Sequence, residues 1–169
     1  MLFRSVVAMT SDQLAAMNTG QFAGFTTTQL VAIETADISA VGVTGTQLAA
    51  LSATQVASLA GAQVKAMNSA QIGAIETNDV SALTTGQISA INSIAVKGLT
   101  TDQIVQLNTV QIGALTTLQI RQLNSLQIQA FEVTDVKGIS TADVVAMTSD
   151  QLAAMNTGQF AGFTTTQLV

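Results

Sequence analysis

Along this chain, large apolar residues return in pairs at a fixed distance, and the polar residues between them keep the same period. Gln stands at 13, 21 and 29, then at 47, 55, 63, 71, 87, 103, 111, 119, 127, 151, 159 and 167. Asp37, Asp79, Asp135, Asp143 and Ala95 fill the other slots of the series. The spacing is eight throughout, except for one step of ten between Asp37 and Gln47, where two extra residues lie around Val41-Gly42-Val43. Each octad reads Thr/Asn/Ser, Thr/Ser, any, Gln, Ile/Leu/Val, any, Ala/Gly, Leu/Met/Ile/Phe, as in Thr84-Thr85-Gly86-Gln87-Ile88-Ser89-Ala90-Ile91. The fifth place is apolar in all 20 units and the eighth in all 19 complete ones. Octad 1 begins at Thr10, octad 4 at Glu34, octad 5 at Thr44 and octad 20 at Thr164.

The polar places predict a helix in every octad. Ser or Thr followed three residues later by Gln is the capping box, in which each side chain satisfies the other residue's backbone N–H. Thr10 with Gln13, Thr26 with Gln29, Thr84 with Gln87 and Thr100 with Gln103 fit it, and Asn serves equally well as an N-cap. Charge follows the same polarity. Acids occupy only the first, third and fourth places, whereas Lys65, Lys97, Arg121 and Lys137 all occupy the sixth. Acids at the start and bases near the end complement a helix dipole. The fifth and eighth places, three residues apart, then share one face.

One continuous helix fails on geometry, because eight residues rotate it by about 800° and the apolar stripe would drift by roughly 80° per octad. A uniform strand fails because acids at places one and three would share the face of the apolar fifth place. A β-solenoid with a turn in each octad remains the alternative. Two large apolar side chains contribute about 3–6 kcal/mol on burial, against roughly 12 kcal/mol for ordering eight residues. Octads must therefore stack on octads, with the small seventh residue letting backbones approach, which is the logic of a solenoid. The expected fold is all-α, a superhelix of short capped helices. The number of octads per coil stays open. First-place Asn and Thr alternate from Asn92 to Asn124, which favours pairs, whereas Asn68 and Asn92 stand three octads apart.

A longer period overlies the octad. Val6–Val31 recurs unchanged as Val144–Val169, seventeen octads and two residues later. Residues 6–169 are therefore read as a fragment of a longer array with a 138-residue super-repeat, and residues 1–5 as a leader outside it. The stretch Met1 to Met9 lacks the long apolar core of a signal peptide.

Composition narrows the chemistry. Cys, His, Trp, Tyr and Pro are absent, which removes thiol and imidazole nucleophiles, the imidazole base and all nitrogen and sulfur metal ligands of the usual kind. Ten acids against five bases give a net charge of −5 and no basic footprint for nucleic acid. Mean hydropathy is positive, yet Thr, Gln, Asn or Asp interrupts every apolar stretch, so no membrane insertion is expected. The carboxylate pairs Glu34/Asp37, Glu76/Asp79 and Glu132/Asp135 are read as Glu N-caps with Asp in place of the capping Gln, since a calcium loop needs more oxygens and a Gly turn. The Gln row is read as capping plus hydrogen bonding between coils, the first Thr of each pair as a cap and the second as a solubilising residue. No catalytic, cofactor-binding or metal site is expected, and no enzymatic activity.

The run Gly98-Leu99-Thr100-Thr101-Asp102-Gln103-Ile104 and its relatives along the chain resemble the Leu-Thr-Thr-x-Gln-Ile-x-Ala octapeptide repeats of very large bacterial surface or adhesin-like proteins. That resemblance implies a spacer, stalk or scaffold at the cell surface or outside the cell, with neighbouring repeats as the main partners. The competing expectation is a binding module that recognises a protein or carbohydrate through the variable sixth place. A lipid-surface coat is disfavoured by the drifting stripe and the scarcity of bases.

Overall fold

The computed structural model describes residues 6, 8–39 and 42–168, so the leader at residues 1–5 lies outside the described residues. Among these residues there are seventeen α-helices of four to six residues, three short 3-10 turns and no strand. The fold is an all-α repeat solenoid, which excludes the β-solenoid.

Each helix is short because two places of every octad are extended. At the first place Thr84 has φ −70 and ψ 158, and at the eighth Ile91 has φ −52 and ψ 128, with helix Thr85–Ala90 between them. No described residue, glycine included, adopts a positive φ. These helices end without the left-handed glycine that closes many others. The eighth-place N–H instead bonds back to the fifth-place carbonyl, as in Ile91 to Ile88 at 3.2 Å and Leu123 to Ile120 at 3.2 Å.

The fifth and eighth places together form one continuous core along the solenoid, including Ile72, Ile75, Ile88, Ile91, Ile104, Leu107, Ile120 and Leu123. The third and sixth places face outward, among them Gly86, Ser89, Lys97 and Arg121.

Helices that pack directly on one another are three octads apart from one end of the chain to the other: Ser11–Ala15 on Thr35–Ser39, Ser69–Ala74 on Ala95–Gly98, and Thr141–Ala146 on Thr165–Gln167. The seventh place of one octad rests on the second place of the octad three earlier. A β-carbon added at Gly61 would lie 3.6 Å from that of Ala90, and one at Gly45 would lie 3.0 Å from that of Ala74. That contact explains why the seventh place is small. Glutamine side chains, described below, reach a further octad back. A coil therefore closes between three and four octads, in the way that α-helical residues meet partners at i+3 and i+4. The three-octad spacing of Asn68 and Asn92 matches the packing of their octads, whereas the pairwise alternation of Asn and Thr has no counterpart in it.

The two-residue insertion leaves the register intact. Gly42 lies against Ser11, as a seventh-place residue does, and Val43 is buried in the eighth-place row. Residues 40 and 41 lie outside the described residues.

This placement gives a direct expectation for outward positions. At Gly86 an added methyl would meet only the Thr84 Oγ1, at 3.9 Å. Gly86→Ala should stabilise the chain by about 0.5–1 kcal/mol through helix propensity. Ser89→Lys, at the exposed sixth place beside it, should change stability by no more than about 0.5 kcal/mol. Urea unfolding of both variants checks the pair.

Candidate functional site

The feature that recurs most is the fourth-place glutamine, and its amide is used at both ends. Its Oε1 accepts the backbone N–H of the first-place residue in every Gln octad, as in Thr84 to Gln87 at 2.8 Å and Asn124 to Gln127 at 2.8 Å. In most octads the first-place side chain accepts the Gln N–H in return, at 3.0 Å for Asn68 and 3.3 Å for Thr116. At Ser52, Ala60 and Thr164 only the glutamine half is made; Ala60 has no acceptor to offer.

The Nε2 end crosses to the coil before. From Gln47 onward each Gln Nε2 donates to the eighth-place carbonyl four octads earlier. These bonds run from 2.8 Å for Gln47 to Met17 down to 2.5 Å for Gln167 to Ile139. A second bond goes to the fifth- or sixth-place carbonyl of the same octad, as in Gln119 to Ile88 at 2.8 Å and Gln55 to Ala23 at 2.8 Å. Even across the insertion, Gln71 reaches Ile38 and Val43. One buried amide thus caps its own helix and binds the end of another, and no buried side-chain polar atom among the described residues lacks a partner. The expected double role of the Gln row is what the structure holds. Only Gln can fill it, because Glu has no donor and Asn lacks a methylene of reach.

Four of the five octads without Gln use two other contacts. Asp37, Asp135 and Asp143 each accept a hydrogen bond from a second-place hydroxyl three octads earlier: Ser11 at 2.5 Å, Thr109, and Thr117 at 2.6 Å. Asp79 has Ala53 at the corresponding position. These bonds correct two expectations. The second-place hydroxyl is more than a solubilising group at Ser11, Thr109 and Thr117. Nor do the Glu residues act as side-chain caps. Glu76 makes no cap bond, and Glu34, Glu76 and Glu132 are all exposed. A Glu side chain is longer than the Ser, Thr, Asp or Asn that N-caps use, and these carboxylates stay in solvent.

The second contact is glycine on glycine. Octads 11 and 16, whose fourth places are Ala95 and Asp135, form only the 3-10 turns Ala95–Gly98 and Val136–Gly138. There the backbone of Gly98 presses on Ser69 and that of Gly138 on Thr109. A β-carbon at Gly73 would lie 2.5 Å from the Gly98 carbonyl oxygen, and one at Gly113 would lie 2.8 Å from that of Gly138. Close backbone packing replaces the missing glutamine. The equal spacing of Gly73 with Gly98 and of Gly113 with Gly138 was the available sequence signal.

Nothing else gathers into a reactive cluster. Among the described residues no group of three or more His, Cys, Asp or Glu could hold a metal ion, and no helix is long and apolar enough to cross a membrane. Two open grooves between coils include capping residues in their lining, Thr84, Asn108 and Gln111 in one and Asn68 and Asn92 in the other. Exposed aliphatic residues gather at the third place, where Ile94, Val110, Leu118 and Leu126 are each 65–70% exposed, and Val145 stands exposed at the sixth.

No curated protein matches the chain. Three segments, residues 6–43, 72–109 and 128–165, match the model of the ALTTAQ repeat. Segments 72–109 and 128–165 each hold a complete glutamine contact between coils, Gln103 to Ile75 and Gln159 to Phe131, and segment 6–43 holds the Ser11 to Asp37 contact. The three together cover more than half of the sequence, and the chain belongs to the ALTTAQ repeat family.

Proposed function

We propose that this structural repeat module acts as a spacer or stalk in a large bacterial surface protein, and that it has no catalytic activity. The observation that carries the reading is the uniformity of the bond between coils. From Gln47 to Gln167 the same amide makes the same two-ended contact, and four of the five octads without Gln, all but that of Asp79, substitute another contact between coils. A chain built this way gains length by adding units, because each unit is stabilised by its neighbours and not by a global core. The unchanged recurrence of Val6–Val31 as Val144–Val169 is what copy-number growth would leave. Support for the surface setting comes from the resemblance of the octapeptide to adhesin-like repeats.

Small-angle scattering on chains carrying one and two super-repeats tests the spacer. The longest dimension should grow in proportion to the octads added, with an unchanged cross-section. A compact particle whose cross-section grows instead would contradict it. Labelling of intact source cells with an antibody to the repeat tests the setting, and signal only after lysis would contradict it. A second reading, a binding module for a protein, has one observation in its favour: the exposed aliphatic third places from Ile94 to Leu126. That surface lies mainly at the third place, and Val105 and Val145 add exposed aliphatic groups at the variable sixth.

A further inference from the structure

Charge alternates along the middle of the chain, and the coil sorts it by sign. From octad 7 to octad 16 the charged groups run Lys65, Glu76 with Asp79, Lys97, Asp102, Arg121, then Glu132 with Asp135 and Lys137. Successive groups stand one or two octads apart, which is half of a coil that closes between three and four. Bases therefore fall on one side of the solenoid and acids on the other. Lys65, Lys97 and Arg121 lie in octads 7, 11 and 14, and Glu76, Asp102 and Glu132 in octads 9, 12 and 16. Every step within either set is three or four octads, one coil.

Contacts within the fold place both columns. Lys65 and Ile94 line one groove between coils, and the turn Ala95–Gly98 packs on the helix Thr117–Gln122, so octads 7, 11 and 14 rise together. On the acidic side the helix Thr77–Val80 packs on Thr101–Val105. Octad 16 follows octad 12 at the four-octad separation that Gln119 spans to Ile88. All six charged side chains are exposed, and uncovered aliphatic groups stand among them. The basic column carries Ile94 and Leu118, each three residues before its base and on the same helical face. The acidic column carries Val105 and Val133, 42% and 48% exposed. Asp150 in octad 18 ends the basic column, and Lys137 ends the acidic one.

We propose that a second copy of this chain packs alongside the first, basic column against acidic column. Both columns climb one coil per charge, so all their ion pairs form together when the copies lie parallel with a stagger of half a coil. Lys65 then meets Glu76, Lys97 meets Asp102 and Arg121 meets Glu132, with Ile94 and Leu118 against Val105 and Val133 between them. Exposed ion pairs contribute little singly, so the association is weak for one chain and sensitive to salt. Each copy presents the two columns on opposite sides. The contact is therefore heterologous and extends into open rows of solenoids, not closed dimers. It uses octads 7 to 16 alone and does not depend on the spacer reading.

Sedimentation equilibrium on the full chain at low salt, from micromolar to near-millimolar concentration, should show a mean mass rising past that of a dimer. In about 0.5 M salt, where charges are screened within about 4 Å, the mass should fall toward the monomer. Lys65→Glu with Lys97→Glu and Arg121→Glu makes both sides acidic. Glu76→Lys with Asp102→Lys and Glu132→Lys makes both basic. Each triple variant alone should be monomeric at low salt, with the wild-type helix content by circular dichroism. An equimolar mixture of the two should again pass the mass of a dimer. Ile94→Ser with Leu118→Ser leaves every charge in place and should weaken the wild-type association about tenfold. A wild type that stays monomeric, an association that salt leaves unchanged, a triple variant that associates like the wild type, or a mixture that stays monomeric would overturn the inference. Vesicles of phosphatidylserine and phosphatidylcholine should not carry the chain on flotation. A chain that floats with them while remaining monomeric would assign the basic column to a membrane and overturn the inference as well.

Discussion

Gln119→Glu should destabilise the chain by about 3–5 kcal/mol near neutral pH, the cost of leaving a buried charge without its counterpart. Gln119 is 1% exposed; its Oε1 accepts the Thr116 N–H and its Nε2 donates to the carbonyls of Ile88 and Ile91 at 2.8 and 2.7 Å. Glu keeps the capping acceptor but turns a second carboxylate oxygen toward two carbonyl oxygens. The neutral acid relieves this, since its O–H can donate to one of them. The substituted carboxyl therefore has a folded-state pKa above the ordinary Glu value of about 4.3. A raised carboxyl pKa makes the penalty full above the folded-state value and lets it shrink as pH falls toward the unfolded one. Urea unfolding of variant and wild type at matched pH should show the gap narrowing from pH 7 to pH 4. A gap constant with pH would contradict the assignment. Gln21→Glu makes the internal comparison. At the same place of the repeat but exposed, it should cost no more than about 0.5 kcal/mol.

Gly98→Ala should cost about 3 kcal/mol, the upper range for forcing an extra carbon into a packed site. The added β-carbon would overlap the backbone of Ser69, with the carbonyl oxygen nearest. Backbone cannot swing aside as a side-chain tip can, so the turn Ala95–Gly98 must lift from the helix Ser69–Ala74. The octad of Gly98 has no glutamine to hold it, since Ala95 fills the fourth place. The loss should be local, because distant coils keep their own neighbours. Hydrogen exchange should show faster exchange around residues 69–74 and 95–99 with little change near Thr148. Uniform acceleration along the whole chain would mean that the core is global. Gly86→Ala, one octad earlier, should be stabilising, and the opposite signs of two identical substitutions isolate backbone contact from helix propensity.

Much of this fold could be read from the period alone. Capping boxes located most helix starts, the fifth and eighth places named the core, and the Gln row carried its double role. Three features escaped that reading for physical reasons. The coil closes at a non-integral number of octads, and a period-eight sequence has no register in which to write that. The hydroxyl–Asp contacts run from Ser11 to Asp37, Thr109 to Asp135 and Thr117 to Asp143. Each is a correlation at a spacing that matters only once the three-octad contact is known. Glu34, Glu76 and Glu132 looked like caps because Ser, Thr or Asn caps elsewhere at the first place.

The claim on which the rest depends is that each octad rests on the one three earlier, seventh place on second. The chain has no Cys, so an engineered pair reports on that contact without competition. β-carbons at Gly61 and Ala90 would lie 3.6 Å apart, inside the span of about 3.5–4.5 Å that a disulfide bridges. Gly61→Cys with Ala90→Cys should therefore oxidise to an intramolecular disulfide under mild conditions. Gly61→Cys with Ala82→Cys, two octads apart, should stay reduced, as should Gly45→Cys with Ala82→Cys, four apart. A free thiol pair at 61 and 90, or faster closure in either other pair, would contradict the three-octad coil contact.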